Sequence, residues 1–234
     1  MVFDSLAQVP ERDTGASDQC VAEDGFCPQW IVDNFGDYVQ PLLDHTYLTV
    51  VTVVIGFAIA FSLAILAHRQ RWLTGPIIGF TGALYTIPSI AAFFLLLPIT
   101  GRGNTTALVA LVAYTLLIIF RNVTTGLRAV PAETVDAAQG MGLTDRQVLW
   151  RVELPLALPE ILAGVRIATT TTVGLVALAY LAGGDGLGRQ IDAQITFKSN
   201  VALAGGLCVL LAAVLDLIIL GVQRRATPWM RAAS

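Results

Sequence analysis

Three ionisable residues lie inside or beside long apolar stretches, where a charge is costly: Glu160, Arg166 and Asp216. Such a side chain needs a partner or water, so each is a candidate functional residue. Glu160 directly follows Pro159 at the start of a stretch, where the positive end of a helix favours an acid, so we expect a structural role. For Arg166 and Asp216 we predict a structural ion pair between two stretches, with a functional role of the charges as the alternative.

Tyrosines around a proline form a second set of candidate residues. Aromatic faces attract cations, so Tyr85, Tyr114 and Tyr180, together with Ser89, are candidates to contact a cationic ligand. The alternative is that these side chains anchor the protein at a membrane surface. Pro88 interrupts backbone hydrogen bonding in the same region, and its kink either lines a water-filled pathway or serves helix packing.

A glycine-rich segment at residues 183–188 is the third candidate. It lacks the Lys-Ser or Lys-Thr ending of a phosphate-binding loop, so we predict an external gate or turn, formed by Gly183, Gly184, Gly186 and Gly188. We find no Ser, His and Asp set, no paired carboxylates, no dinucleotide motif and no Cys and His spacing typical of a metal site. His45 and His68 lie at the ends of apolar stretches, where we expect structural roles. The sequence therefore predicts neither an enzyme nor a chain that binds a metal or cofactor.

The composition is that of a membrane protein. Of the 234 residues, 55% are hydrophobic and only 13% are charged, against roughly 25% charged in a soluble domain. The net charge of −3 argues against nucleic-acid binding, which needs clustered basic charge. We therefore expect the lipid bilayer, and not nucleic acid, as the chain's environment.

Five stretches are long and apolar enough to cross a bilayer, which requires about 20 residues. They cover residues 46–67, 75–98, 105–120, 156–182 and 201–222. Basic residues concentrate after the first, third and fifth stretches: Arg69, Arg71, Arg121, Arg128, Arg146, Arg151, Arg224, Arg225 and Arg231. We therefore predict an all-α protein of five transmembrane helices. Because cytoplasmic loops retain positive charge, we place the N-terminus outside and the C-terminal tail, residues 226–234, in the cytoplasm.

Residues 1–45 form an acidic external tail in this prediction. Residues 30–43 carry apolar side chains at near-helical spacing, which is typical of a helix on the membrane surface, although a partly ordered tail fits as well. Cys20 and Cys27 lie in the tail, where the redox conditions allow a disulfide, with two free thiols as the alternative.

One long polar loop, residues 121–155, interrupts the apolar pattern on the cytoplasmic side. Pro131 and Glu133 are typical of the first turn of a helix, and Gly140 and Gly142 should end that helix. Residues 144–147 spell a capping box, which predicts the start of a second helix, and we expect Pro155 to end it. The loop should therefore form a short helix, a tight turn and another short helix.

A spaced signature lies within this loop. It begins with Asp136-Ala137-Ala138, which is followed after three residues by Gly142. Nine residues further on come residues 152–155, Val-Glu-Leu-Pro. This resembles the Glu-Ala-Ala, three residues, Gly, nine residues, Ile-x-Leu-Pro motif of permease subunits in binding-protein-dependent ABC importers. The spacing matches throughout, and the two substitutions, Asp136 for Glu and Val152 for Ile, keep the chemical type.

The resemblance implies a type I importer permease with a MetI-like fold, whose residues 129–155 form a coupling loop that docks on an ATP-binding subunit. The coupling residues it implies are Glu133, Asp136, Ala137, Ala138, Gly142, Leu143, Val152, Leu154 and Pro155. It also implies three kinds of partner: a second permease subunit, identical or homologous, two cytoplasmic ATPase subunits and an external solute-binding protein. ATP and Mg²⁺ would bind to the ATPase.

Further segments resemble the quaternary-amine branch of that family. They are residues 85–89, 121–126, 154–159 and 183–188, and the resemblance spans residues 45–225. It implies uptake of glycine betaine, choline, carnitine or proline betaine across a bacterial plasma membrane. The acidic tail and Asp185 depart from the family pattern. Two alternatives stay open: a permease for another small polar solute, such as an amino acid or a sulfur-containing betaine, and a membrane scaffold or receptor that docks a cytoplasmic partner.

Overall fold

The computed structural model describes residues 20–229, and within them all regular secondary structure is helical. The helices are α1 (Pro28–Asn34), α2 (Val39–Arg69), α3 (Thr74–Thr86), α4 (Ser89–Thr100), α5 (Asn104–Arg128), α6 (Ala132–Gly140), α7 (Asp145–Val148), α8 (Leu154–Val176), α9 (Leu187–Ala193) and α10 (Lys198–Ala226). Short 3₁₀ turns cover Phe35–Tyr38, Arg71–Leu73 and Ala179–Ala182, and a π-helical turn covers Leu149–Glu153.

Three helical stretches of the described chain are long and apolar enough to cross a membrane: Pro28–Arg69, α5 and α10. The bent pair formed by Arg71–Thr86 and α4 passes the same test together and makes a fourth candidate span. Helix α8 has 23 residues, enough to cross a bilayer, but it contains Glu160, Arg166 and several threonines, which lower its hydropathy.

The second apolar stretch is broken instead of straight. Helices α3 and α4 meet at an angle of 96°. Pro88 has no backbone N–H, and the residue before a proline avoids the helical region of backbone space, so Ile87 is extended, with φ −64° and ψ 126°. Proline therefore explains why the helix breaks at this point.

Two other boundaries differ from those expected. Residues 30–43 are divided among α1, a 3₁₀ turn and the first residues of α2. Helix α8 ends at Val176, earlier than the predicted 182, because the chain tightens into the 3₁₀ turn Ala179–Ala182 and then reverses at Gly183, whose φ is +83°.

Helices α2, α5 and α8 form the centre of the bundle. Ala60 and Ala64 of α2 pack against Ile119 and Phe120 of α5, and all four side chains are fully buried. At the contact of α5 with α8, a Cβ on Gly126 would lie 2.9 Å from the carbonyl oxygen of Ala157. Small residues let membrane helices approach closely, so Gly126 serves the packing of α5 on α8.

Arg166 of α8 and Asp216 of α10 form a two-pronged ion pair. Arg166 Nε donates to Asp216 Oδ1 at 2.8 Å, and Nη2 donates to Oδ2 at 2.7 Å. The two side chains are 29% and 28% exposed, so water reaches the pair only partly. The pair ties α10, the most peripheral long helix, to the centre of the bundle.

We expect Arg166→Gln or Asp216→Asn alone to destabilise the protein by about 1–3 kcal/mol, because each leaves a half-buried charge without its partner. The double variant should lose less than the sum of the two. Thermal unfolding of the four proteins in one detergent measures this coupling. Additive losses would contradict an energetic role for the pair.

Candidate functional site

The loop that the sequence predicts to be cytoplasmic folds as a helical hairpin, here called the coupling hairpin, residues 129–155. Helix α6 begins after Pro131, which caps it in an extended conformation, and Glu133 lies in its first turn. The hairpin closes through α7 and the π-helical turn, which leads without a break into α8. The expected helix, turn and helix are therefore present.

Gly142 makes the tight turn of the hairpin. Its φ is +86°, a left-handed conformation that glycine adopts without strain. Around it, the N–H of Leu143 donates to the carbonyl of Ala138 at 3.2 Å, and the N–H of Gly142 donates to that of Gln139 at 2.8 Å. These bonds satisfy the free carbonyls at the end of α6.

The predicted capping box at the start of α7 is confirmed. The N–H of Thr144 donates to Oε1 of Gln147 at 2.8 Å, and the threonine side chain accepts in return from the backbone of Gln147. Because both partners lie within four residues, this feature is set by local sequence alone.

The prediction that Pro155 ends the second helix is wrong. The helix widens into the π turn, in which the N–H of Leu154 reaches the carbonyl of Leu149, and it then continues as α8. Pro155 follows directly, in the first turn of α8, where its missing N–H costs little. The hairpin and α8 are therefore one continuous helical body.

The hairpin contacts the bundle through residues on one side. Ala138, Val148, Leu149 and Leu154 are buried, and the last two belong to the same apolar cluster as Ala67 at the end of α2. In addition, Nε2 of His68 lies 3.1 Å from Oε2 of Glu153. This polar contact joins the end of α2 to the hairpin. Sequence analysis missed Glu153, because it occupies the variable position of the signature and no spacing relates it to His68.

The opposite side of the hairpin is open. Ala137 and Gly142 are exposed, as are two large apolar side chains, Met141 at 75% and Trp150 at 53%. Ala137 and Ala138, adjacent in the signature, therefore face in different directions. Exposed apolar side chains around a small-residue surface are typical of a protein-docking site.

Two cavities, of about 560 and 550 Å³, lie between the hairpin and the bundle. Both are lined by His68, Val135 and Glu153. The first extends to Arg71 and Arg128, at the end of the bundle that carries the hairpin. The hairpin is therefore held at its base and loosely packed along α6.

The predicted pathway residues divide between two places. Tyr85 and Tyr114 pack edge to face with ring centroids 5.9 Å apart, and the hydroxyl of Tyr114 donates to the carbonyl of Ile87. Pro88 and Ser89 lie at the same break between α3 and α4. Tyr180 lies elsewhere, in the 3₁₀ turn after α8. Four of the five residues thus surround one broken helix.

The glycine-rich segment is a closely packed turn. Gly183 and Gly186 have φ of +83° and +131°. A Cβ on Gly184 would lie 3.0 Å from the carbonyl oxygen of Ala179, and one on Gly188 would overlap the carbonyl of Ala177. These contacts fix the segment against the end of α8.

Comparison with known proteins gives the family. A model described as the binding-protein-dependent transport system inner membrane component matches residues 47–232. The chain belongs to this family. The match includes the coupling hairpin and begins after the acidic N-terminal segment.

Relatives in the family cover most of the permease. The glycine betaine/carnitine/choline transport system permease protein OpuCB of Bacillus subtilis is 32% identical over 83% of this chain and 91% of its own length. The choline transport system permease protein OpuBB of the same organism is 33% identical over 86% and 93%. The osmoprotectant import permease protein OsmW of Salmonella typhimurium is 35% identical over 85% and 96%.

Solved structures share the fold. A chain of the inward-facing MetNI methionine ABC transporter has a TM-score of 0.70 at 24% identity, with 84% of this permease and 96% of that chain covered. A chain of an amino acid ABC transporter crystallised with histidines has a TM-score of 0.70 at 18% identity, with 84% and 97% covered. The MetI-like fold expected from the sequence is therefore confirmed.

Two glycines of the hairpin provide a matched pair of variants. A Cβ on Gly140 or Gly142 would meet no atom within 4 Å, but only Gly142 has a positive φ. Gly142→Ala should therefore destabilise the turn by about 1–2 kcal/mol, and Gly140→Ala should be neutral or slightly stabilising. Hydrogen exchange of residues 141–148 measures the difference. Equal exchange in the two variants would contradict a special role for the Gly142 turn.

Proposed function

We propose that this permease is the membrane subunit of an ATP-driven importer that takes up quaternary-amine osmoprotectants: glycine betaine, choline, carnitine and proline betaine. Three relatives that cover most of the chain carry glycine betaine, choline, carnitine or osmoprotectant transport in their names. The observation that carries the proposal is the coupling hairpin, a docking surface that leads directly into a helix of the bundle.

In the proposed mechanism, the open side of the hairpin docks on an ATPase subunit. Ala137 allows close approach, and Met141 and Trp150 supply apolar contact. Because the π turn joins the hairpin to α8 without a break, movement of the ATPase rotates that helix as a body. The contact of His68 with Glu153 carries part of the movement to α2. ATP and Mg²⁺ bind to the ATPase, which supplies the free energy.

The assembly contains two ATPase subunits, a second permease subunit, identical or homologous, and an external solute-binding protein. The second permease subunit encloses the pathway together with this one, and Tyr85, Pro88, Ser89 and Tyr114 at the broken helix face that pathway in the proposal. A quaternary ammonium group is attracted to aromatic faces, which fits the pair of tyrosine rings.

In the membrane, we propose five spans with the N-terminus outside. Helix α8 completes the five as the fourth span in chain order, since it packs centrally against α2, α5 and α10 and its charged Arg166 is paired with Asp216. Residues 1–45 are then external, residues 46–225 form the transmembrane domain, and residues 226–234 are cytoplasmic.

Labelling from one side of the membrane tests this topology. In intact cells, a membrane-impermeant maleimide should label Lys198→Cys, which is exposed at the outer end of α10 in the proposal. It should label Arg146→Cys, exposed in α7, only after the cells are opened. The opposite pattern would reverse the orientation, and labelling of both in intact cells would contradict a membrane crossing by α8.

Reconstitution tests the function. Proteoliposomes that contain this permease, its ATPase and its binding protein should accumulate radiolabelled glycine betaine, choline or carnitine when ATP is present. Ala137→Trp should block ATPase docking by its bulk and reduce uptake at least tenfold, whereas Ala137→Ser, which stays small, should preserve uptake.

If the proteoliposomes take up an amino acid and none of the quaternary amines, the alternative solute class is correct, and the proposed coupling mechanism is unaffected. Unchanged co-purification of the ATPase with Ala137→Trp would contradict the docking surface. A chain that binds a cytoplasmic partner but moves no solute would be a scaffold or receptor.

A further inference from the structure

A row of small residues runs along one side of α2, and we call it the α2 seam. The residues recur at spacings of three and four positions, so they share one face of the helix. All six are buried in the bundle, and none is larger than threonine. They are Thr49, Thr52, Gly56, Ala60, Ala64 and Ala67.

The α2 seam brings α2 very close to α5. A Cβ on Gly56 would lie 1.9 Å from Oγ1 of Thr115 and 3.0 Å from its Cβ. Further along, Ala60 and Ala64 belong to the same buried cluster as Phe120. Because the seam itself has no large side chain to lift out of a pocket, a small shear of α2 on α5 meets little resistance.

Two threonines of the seam lack hydrogen-bond partners. Thr49 and Thr52 are fully buried, and the Oγ1 atom of each has no partner within residues 20–229, the part of the chain that the structure describes. A threonine in a helix normally donates to a carbonyl three or four residues earlier. Other threonines of the bundle do so: Thr46, Thr81, Thr115, Thr124 and Thr169. The packing around α2 therefore holds these two hydroxyls away from their own helix.

The unmet hydrogen bonds make the observed packing of α2 costly. A buried hydroxyl without a partner raises the free energy of the state that contains it. If α2 loosens from its neighbours, the hydroxyl of Thr49 can turn to the carbonyl of His45 and that of Thr52 to the carbonyl of Leu48, four residues earlier in each case. A looser packing of α2 therefore removes a cost that the observed packing carries.

The outer end of α2 is fixed. Nε2 of His45 donates to the carbonyl of Val173 in α8 at 3.0 Å. The chain before α2 is attached as well, because a disulfide joins Cys20 to Cys27, and the N–H of Cys27 donates to Oγ of Ser199 at 2.5 Å, at the start of α10. Any change in the packing of α2 must therefore enter from its other end.

The other end of α2 contacts the coupling hairpin. Ala67, the last residue of the seam, belongs to the same buried cluster as Leu149, and the next residue, His68, contacts Glu153. Both Ala67 and His68 also line the first cavity beside the hairpin. A displacement of the hairpin therefore reaches the seam directly, at the end of α2 where there is room for movement.

We propose that Thr49 and Thr52 set the balance between two packings of α2 during transport. In the first packing, which is the observed one, their hydroxyls are unsatisfied. In the second, the hairpin has shifted α2 on α5, and the hydroxyls donate to the carbonyls of their own helix. The inference rests on the proposed function, which supplies the movement of the hairpin. The cost carried by the first packing lowers the work that the ATPase must do to reach the second.

Valine substitution tests the state of the two hydroxyls, because valine keeps the branched shape of threonine and removes the hydroxyl. Thr49→Val/Thr52→Val should raise the melting temperature of the full-length permease in detergent by about 2–8 °C. Thr81→Val is the matched control, since Thr81 is equally buried but donates to the carbonyl of Ile77 at 2.7 Å. Its melting temperature should not rise.

Uptake by the assembled importer tests the role of the hydroxyls in switching. In proteoliposomes with the ATPase and the binding protein, the double valine variant should take up radiolabelled glycine betaine, choline or carnitine about three- to tenfold more slowly, because only the first packing is stabilised. Thr81→Val should leave uptake unchanged. A purely structural role of the two threonines would lower melting temperature and uptake together, so opposite signs identify the switch.

Two results overturn the proposal. A lower or unchanged melting temperature of the double valine variant means that the hydroxyls already have partners, protein or water, in the first packing. A higher melting temperature with unchanged uptake means that they take no part in switching. If the unaltered importer takes up none of the three solutes, it is the proposed function that fails, and the melting temperatures still report on the hydroxyls.

Discussion

The close approach of α5 and α8 is the contact on which the rest of the molecule depends. The coupling hairpin grows out of the ends of these two helices, at Arg128 and Leu154. A Cβ on Gly126 would press on the backbone of Ala157, and one on Gly164 would overlap the side chain of Asn122. Without a hydrophobic drive between helices in lipid, such close packing is the main source of association. The hairpin therefore has a fixed base, although α6 itself is loosely packed.

This base offers two routes by which a push on the hairpin enters the bundle. One is covalent: α7, the π turn and α8 form a continuous helical body, so rotation of the hairpin is rotation of α8. The other is the contact of His68 with Glu153, which reaches α2. Helices α2 and α8 contact each other as well as α5, so in the proposed mechanism a movement carried to both alters their packing on α5. The two cavities beside the hairpin leave room for that movement.

What could be predicted from the sequence was local. The capping box at Thr144 and the turn at Gly142 depend on residues within five positions of one another, so spacing alone predicted them. The structure contains the ion pair of Arg166 with Asp216, which we expected because an unpaired charge in lipid is costly. The contact of His68 with Glu153 joins residues 85 positions apart, and no periodicity relates them. The effect of Pro155 was misjudged because a π turn, which depends on tertiary packing, accommodates it.

The two ends of the bundle differ in how firmly they are held. At the end with α9, the glycine turn presses on the end of α8, and the segment before the first predicted span, residues 20–44, is fastened by a disulfide, hydrogen bonds and aromatic contacts. At the hairpin end, cavities separate α6 from the bundle. The looser packing at this end belongs to α6, because α8 stays packed on α5 at Ala157. In the proposed mechanism, the cavities therefore give α6 room to move against the bundle while the opposite end of the bundle stays fixed.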